Sequence, residues 1–347
     1  MTTPEPLYHL ALREVHAESG AQFVAHAGWS LPASYQAGTL AEHTAIRTGA
    51  AVIDRSHRSR ILVTGTDALV VLQAAFAGHV EDLEEGRSMR TARLDGEGRI
   101  RDLVLVARTG GISYLVTGEP SQRAETLAAL QGAVGDGFEA QVDDRTETTC
   151  LISVSGPDAA KLVSEHMADA LPSRLPALHC VAFLFHGFRG LAVRTSDTGE
   201  DGFEFMLAPA VAQHLIETLQ PAAPLAGLQA TEIARVEAAV PAFVPDLEPG
   251  LSPAEADLDV LLEIPGGADG RILSGMILEG DPLPPGSPVS VDGEAVGELR
   301  SCLRSPGLNA TIGLGIISSR RALPGTQFSV AGIPATVVAK PFYRRRN

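Results

Sequence analysis

Ile61-Leu62-Val63-Thr64-Gly65-Thr66-Asp67-Ala68-Leu69 and Ile152-Ser153-Val154-Ser155-Gly156-Pro157-Asp158-Ala159-Ala160 follow one pattern. Each is a short apolar strand, a hydroxyl residue, a glycine, any residue, and Asp-Ala opening an apolar-periodic helix. Thr64 or Ser155 can cap the new helix, the acid sits where the helix dipole favours it, and Pro157 is tolerated early because its missing N–H is not needed there. Two ordinary strand-to-helix turns would read this way, and so would a duplicated α/β unit. The separation far exceeds the roughly 20–50 residue period of solenoids and propellers, so a duplication here means two domains rather than an array.

Around these segments, helical periodicity predicts helices over 39–50, 67–77, 121–132, 157–169, 209–219 and 229–239. Strands are expected at 60–64, 90–95, 102–107, 112–117, 150–155, 181–185, 189–194 and 202–207, with a further strand-like stretch from Ala50 to Ile53. Both element types abound without strict alternation, which favours α+β over a doubly wound parallel sheet. Past residue 264 the texture changes. Gly and Pro cluster at 265–270 and 282–288, and short β-like runs at 273–278, 288–291, 295–299, 312–316, 327–330 and 335–339 are split by turns such as Asp292-Gly293 and Pro324-Gly325. That segment reads as a separate β-barrel or sandwich. Arg344-Arg345-Arg346 reads as a solvated tail.

With 347 residues, 45% hydrophobic and 20% charged, the chain is long enough for two or three domains with sizeable cores. Its formal net charge of −15 argues against non-specific nucleic-acid binding or docking on an acidic membrane surface. The three cysteines, Cys150, Cys180 and Cys302, are too widely spaced for a zinc motif and read as reduced thiols of a cytoplasmic protein. The N-terminus has no export-signal pattern, and no stretch is apolar enough to span a bilayer.

Several common catalytic motifs are missing: the phosphate-binding loop ending in Lys-Ser/Thr, G-x-G-x-x-G after a strand, H-E-x-x-H and G-x-S-x-G. What remains is a polar constellation. Asp54-Arg55-Ser56-His57 follows an apolar strand-like stretch and can be a simple turn with Asp54 or Ser56 capping backbone donors. Arg194-Thr195-Ser196-Asp197-Thr198-Gly199-Glu200-Asp201-Gly202-Phe203-Glu204 reads as strand, acidic turn and returning strand. Glu204 must point to the face opposite Phe203. Arg235 falls in an apolar helix, where a basic residue usually forms a structural ion pair with an acid from another element.

These residues, taken in order, resemble the T-protein (aminomethyltransferase) of the glycine cleavage system and its folate-binding relatives. The resemblance runs nearly end to end: Thr3-Pro4, Leu7-Tyr8, Ala27-Gly28-Trp29 with Pro32, Glu42-His43 with Arg47, Asp54-x-Ser56-His57, Val63-x-Gly65-x-Asp67-Ala68, Thr198-Gly199-Glu200-Asp201-Gly202-Phe203-Glu204, Arg235-x-Glu237-Ala238 and Pro341-Phe342-Tyr343-Arg344. The Thr198 to Glu204 run is the most specific. The resemblance implies a three-domain cloverleaf of two interwoven ferredoxin-like α/β units and a C-terminal β-barrel. The expected division is 1–262 (about 1–56 with 148–250, and 57–147), a linker at 263–270, and a barrel at 271–347. It also implies tetrahydrofolate as cofactor, with Glu204 accepting the pterin's paired donors and Arg235 at the family's folate-site arginine. A carboxylate suits that paired donor edge because bidentate charge-assisted hydrogen bonds are strong and directional. Glu200 and Asp201 match the motif but can simply shape the hairpin.

The chain departs from the family at the chemistry. The T-protein's catalytic acid is the second Asp of a Gly-Gly-Ile-x-Asp-Asp-Leu stretch, whereas Gly98-Arg99-Ile100-Arg101-Asp102-Leu103 puts Leu103 at that position. Asp102 lies one residue earlier and points to the other face of a strand unless a bulge restores the register. Three more site positions carry Arg90, Glu119 and Asp197 in place of a tyrosine, an asparagine and a tyrosine. For acid-assisted one-carbon transfer, Asp102 or Glu119 must reach the pocket. Three readings follow: a folate-dependent one-carbon transferase, a non-enzymatic folate-dependent accessory protein of the YgfZ type supporting iron–sulfur enzymes, and a scaffold whose pocket is too crowded with charge for folate. The chain lacks the YgfZ Lys-Gly-Cys-Tyr-x-Gly-Gln-Glu segment, and Cys302 lies in the barrel region and is no substitute for it. The implied partners are folate and a protein that carries a one-carbon unit or an iron–sulfur enzyme.

Overall fold

A computed structural model describes residues 7–167, 172–248, 250–264 and 270–345. The expected helix end at 168–169, the connection at 265–269, Thr3-Pro4 and Arg346 lie outside the described residues. The chain forms two compact units: Met1–Arg93 with Asp102–Ser196 and Glu200–Thr231, and Leu94–Arg101 with Asp197–Gly199 and Glu232–Asn347.

The first unit holds two five-stranded sheets, both antiparallel in every pairing described. One sheet has the order Cys180–Phe185, Phe188–Val193, Gly202–Leu207, Cys150–Ser155, Ala51–Asp54. The other runs Ser88–Leu94, Ile100–Gly110, Ser113–Gly118, Ser59–Thr64, Gln141–Asp144. The whole second sheet is inserted between Ala51–Asp54 and Cys150–Ser155, so the two α/β units interweave. Both repeats leave a strand, Ser59–Thr64 or Cys150–Ser155, and enter a helix, Ala68–Ala75 or Ala159–His166.

The glycine of each repeat is required by geometry. Gly65 has φ +118° and a Cβ there would meet the Glu139 carbonyl oxygen at 1.9 Å; Gly156 has φ +144° and its Cβ would meet Gly49 O at 2.3 Å. Only glycine combines that backbone conformation with so close an approach. The expected caps are corrected. Asp67 and Asp158, rather than Thr64 and Ser155, occupy the N-cap positions, and neither makes a side-chain cap bond. Asp67 instead accepts the Glu139 N–H at 2.8 Å, which fastens the tight crossing at Gly65.

Alternation along the strands builds three apolar layers. Ile152, Val154, Phe203, Phe205 and Leu207 pack under Ala159, Leu162, Val163, Val211, Leu215 and Ile216 of two helices. Ile61, Val63, Val104, Val106, Tyr114 and Val116 pack under Ala68, Val71, Leu72 and Leu130 of two others. Between the sheets, Leu105, Ala107 and Leu115 meet Cys180 and Val193, with Leu191 and Met206 packed against them. The sheets therefore face one another, and each turns its outer face to helices.

The helix Arg13–Glu18 and the small sheet of Tyr8–His9, Trp29–Ser34 and Gln22–His26 were not legible as periodic elements. Trp29–Ser34 is buried along its whole length and contains Pro32, so neither alternation nor β-propensity marks it. A buried relay ties this region to the sheet. Tyr35 Oη lies 2.9 Å from His16 Nδ1, His16 Nε2 lies 2.8 Å from Asp54 Oδ2, and the Ser56 N–H donates to Asp54 Oδ1 at 2.8 Å.

The second unit contains a closed six-stranded barrel of Arg271–Leu278, Ala310–Ser318, Glu294–Ser305, Pro288–Val291, Gln327–Val330 and Ile333–Val338. Met276, Leu278, Val289, Leu299, Ile317, Phe328, Val330 and Val337 fill it. Closure removes the open strand edges of these short strands. The α+β class with a late β-barrel is the observed architecture.

Candidate functional site

Glu204 sits where strand parity predicts. Phe203 and Phe205 enter the helix-side core, so Glu204 faces the opposing sheet, 7% exposed, on the same face as Met206. Its cross-strand neighbours are Ser153 and Val193, and Ser153 pairs in turn with Ile53. Glu204 is thus the one carboxylate in the row Ile53, Ser153, Glu204, Val193, Cys180. The acidic turn before it serves as scaffold: Asp201 grips Arg194 with both oxygens, at 2.9 and 2.5 Å, and Glu200 lies 3.3 Å from Arg47.

On the opposing sheet, Leu103 shares the face of Leu105 and Ala107, towards Glu204's sheet. Asp102 does not. It lies on the face of Val104 and Val106, fully buried beneath the helix Arg123–Gly132. The register shift in this strand's pairing with Ser113–Gly118 falls between Arg108 and Gly110, too far along to restore Asp102. Its oxygens accept the Glu119 N–H at 3.0 Å and the Thr126 hydroxyl at 2.6 Å. Burial pushes its carboxyl up to about 7, with the Glu119 charge adding to the rise and the Thr126 and Glu119 hydrogen bonds opposing it. The condition that Asp102 reach the same face as Glu204 is therefore not met.

Glu119 ends the Ser113–Gly118 strand. Its carboxylate lies 3.4 Å from the Arg58 guanidinium, both side chains being partly buried. Arg90 sits on Ser88–Leu94 and donates to Thr195 Oγ1 at 3.0 Å and Ser196 O at 3.2 Å, so it crosses between the two sheets. Sequence reasoning flagged Arg90 and Glu119 as new charges. It missed Arg58, whose meeting with Glu119 spans 61 positions and leaves no local signal.

Arg235 and Asp197 belong to the second unit. Asp197 is half-buried. Arg235 is held in an ion-pair network: Nε and Nη2 donate to Glu232 Oε2 at 2.8 and 2.6 Å, Nη1 to Asp246 Oδ2 at 2.6 Å, and Nη2 to Ser301 Oγ at 2.9 Å. Burial alone would lower its pKa, but the Asp246 and Glu232 carboxylates outweigh that and raise it. All three guanidinium nitrogens are engaged, which is the structural ion pair that the helix context anticipated.

Family models match in the same order as the two parts of the fold: a GCVT N-terminal domain over residues 12–265, and a glycine cleavage T-protein C-terminal barrel domain over 271–344. The chain belongs to the glycine cleavage T-protein family. The aminomethyltransferase of Streptomyces avermitilis is 33% identical, with 98% of each chain covered. That of Thermus thermophilus is 31% identical over 97% of this chain and 98% of its own. The glycine cleavage system aminomethyltransferase T from Bartonella henselae superposes with a TM-score of 0.89 at 25% identity, covering 98% of this chain and 99% of that one.

Within this T-protein fold, the facing sheets combine a buried carboxylate, Glu204, with a hydroxyl neighbour, Ser153, and an apolar floor. No group of three or more His, Cys, Asp or Glu among the described residues is placed to hold a metal ion. No described helix is long and apolar enough to cross a membrane.

Proposed function

We propose that this T-protein family member binds tetrahydrofolate through Glu204 and that position 103 takes no acid-base part in any one-carbon transfer. The observation that carries this is the arrangement on facing sheets: the carboxylate of Glu204 is buried on one, and Leu103, which the resemblance puts at the family's acid position, shares the inward face of the other. A carboxylate on a rigid strand, almost shielded from water, is suited to a flat ring edge presenting two adjacent N–H donors. Ser153 beside it adds a hydroxyl that can donate or accept. Arg235 acts indirectly here: its donors are committed to Glu232, Asp246 and Ser301, so it keeps its helix in place instead of gripping a ligand.

Bound tetrahydrofolate would supply the nitrogens that accept or carry a one-carbon unit. The chain's own groups hold its ring, exclude water from the sheet interface and set the charge around it. Leu103 can neither stabilise developing positive charge nor relay a proton. Of the remaining candidates, Asp102 faces the helix layer and Glu119 is paired with Arg58. Transfer would then depend on positioning, with rates below those of an acid-assisted relative.

The same Leu103 favours a second reading, in which the protein is a folate-dependent accessory factor without turnover. Calorimetric titration of tetrahydrofolate into the wild type and Glu204→Ala tests the shared premise. Micromolar-range affinity that falls at least tenfold in the variant is expected, and equal affinity in both removes Glu204 from the site. Aminomethyl transfer from a carrier-bound donor then separates the readings. Slow turnover that survives Asp102→Asn and Glu119→Gln supports the first, whereas folate binding with no turnover supports the second.

A further inference from the structure

Asp102 makes contacts that a leftover acid would not need. Its Oδ1 takes the N–H of Glu119, where the strand Ser113–Gly118 ends, and its Oδ2 takes the hydroxyl of Thr126 in the helix that follows. One carboxylate thus closes the turn over 119–122 from beneath. The neighbourhood is shaped around it: a Cβ at Gly118 would lie 2.8 Å from Asp102 Oδ2 and 3.0 Å from Ser59 Oγ, which itself accepts the Gly118 N–H at 3.1 Å. The turn delivers Glu119, whose carboxylate meets Arg58, the residue before Ser59–Thr64, where Ser59 pairs with Gly118 in the same sheet.

We propose that Asp102 is a positioning residue whose charge state sets the turn carrying Glu119, and through it the Glu119–Arg58 ion pair. An ionised carboxylate holds the Glu119 amide by a charge-assisted bond. A neutral acid keeps the contact through a weaker carbonyl-like oxygen, while its proton goes to Thr126 Oγ1. The charged groups that act on Asp102 come from two sides. Glu119 at the turn opposes its ionisation, and Arg93 favours it from the strand Ser88–Leu94. Arg93 is itself bound to Thr126, Gln122 and Glu125 along the helix. Burial places the change of charge near neutral pH.

The test needs no folate, so its outcome is independent of the ligand reading. Protein labelled with 15N-glutamate is followed by NMR from about pH 5.5 to 8.5, with the Glu119 amide assigned by its loss in Glu119→Gln. The Glu119 amide resonance is expected to titrate with a midpoint near 7 in the wild type and to stay flat in Asp102→Asn, which keeps the shape and an acceptor. Thr126→Val removes a hydrogen bond that favours the ionised form, so the midpoint should move up by about half a pH unit or more; this variant carries the test if Asp102→Asn does not fold. A wild-type amide that is flat across the range, a titration unchanged in Asp102→Asn, or a midpoint unmoved by Thr126→Val would overturn the proposal.

Discussion

Replacing Arg235 by Met isolates the ion-pair network of the second unit. Asp246 is fully buried, with Arg235 Nη1 at 2.6 Å, the Ser301 hydroxyl at 2.5 Å on its other oxygen, and the Ala242 N–H at 2.9 Å. Glu232, a third exposed at its side chain, can turn to water when the guanidinium is lost. Asp246 cannot, and a buried carboxylate stripped of its cation costs about 3–5 kcal/mol. Arg235→Lys keeps a charge but cannot serve Asp246, Glu232 and Ser301 together, so an intermediate loss is expected. The double variant Arg235→Met/Asp246→Asn removes the bare charge and should recover at least half of the loss. The single tryptophan, Trp29, lies in the first unit and is the wrong probe. Native-state hydrogen exchange on peptides covering 235–247 and 294–318, read in rising urea, reports the second unit directly. A loss under about 1 kcal/mol, combined with a tenfold or greater fall in tetrahydrofolate affinity, would refute the reasoning and make Arg235 a ligand contact.

Three further outcomes are expected. Gly65→Ala and Gly156→Ala should each destabilise by about 2–3 kcal/mol or abolish folding, since each forces a Cβ onto a backbone oxygen at positive φ; urea melts of the soluble fraction check this. Asp102 is expected to weaken the fold as it ionises. Its carboxyl is raised from 3.8 to about 7, so the folded state holds the extra proton between those values and stability falls as pH rises through that window. Relative to Asp102→Asn, the wild type should lose stability from about pH 4 to 7 and level off above that, by at most about 4 kcal/mol for a shift of roughly three pH units; denaturation curves with pH-independent differences would contradict it. Asp54 has the opposite sign. Burial tends to raise its carboxyl, but hydrogen bonds from His16 and Ser56 win and hold it below the usual range. Its contribution is present above about pH 4 and disappears in more acidic solution, so the acid limb of the stability curve should flatten in Asp54→Asn, as acid titration followed by circular dichroism would read.

The helices and the sheet strands were largely legible because their signals are local. Pro209–Leu219 and Gly202–Leu207 begin and end where apolar periodicity begins and ends. Glu204's direction followed from parity alone, since Phe203 beside it had to enter a core. The N-terminal strand Gln22–His26, with its mostly exposed pattern, and Gln141–Asp144, with polar ends, had no such signature. Helix capping was misplaced for a related reason: whether Asp67 or Thr64 takes the N-cap depends on the close crossing of Gly65 and Glu139, which sequence spacing does not reveal.

By itself, then, the sequence determined the α+β class, the repeated strand-glycine-helix turn, the late barrel and the opposite faces of Asp102 and Leu103, because each depends on residue type and short-range period. Tertiary structure decided what the charged residues do. Asp102 takes the Glu119 amide and the Thr126 hydroxyl, Arg58 lies 3.4 Å from Glu119, and Arg235 spends its donors on Asp246, Glu232 and Ser301. These are meetings between side chains brought together by sheet pairing and barrel closure, often across many tens of positions. The energy of a buried charge depends on its nearest partner in space, and a local pattern encodes that partner only when it is a helix neighbour, as Glu232 is for Arg235.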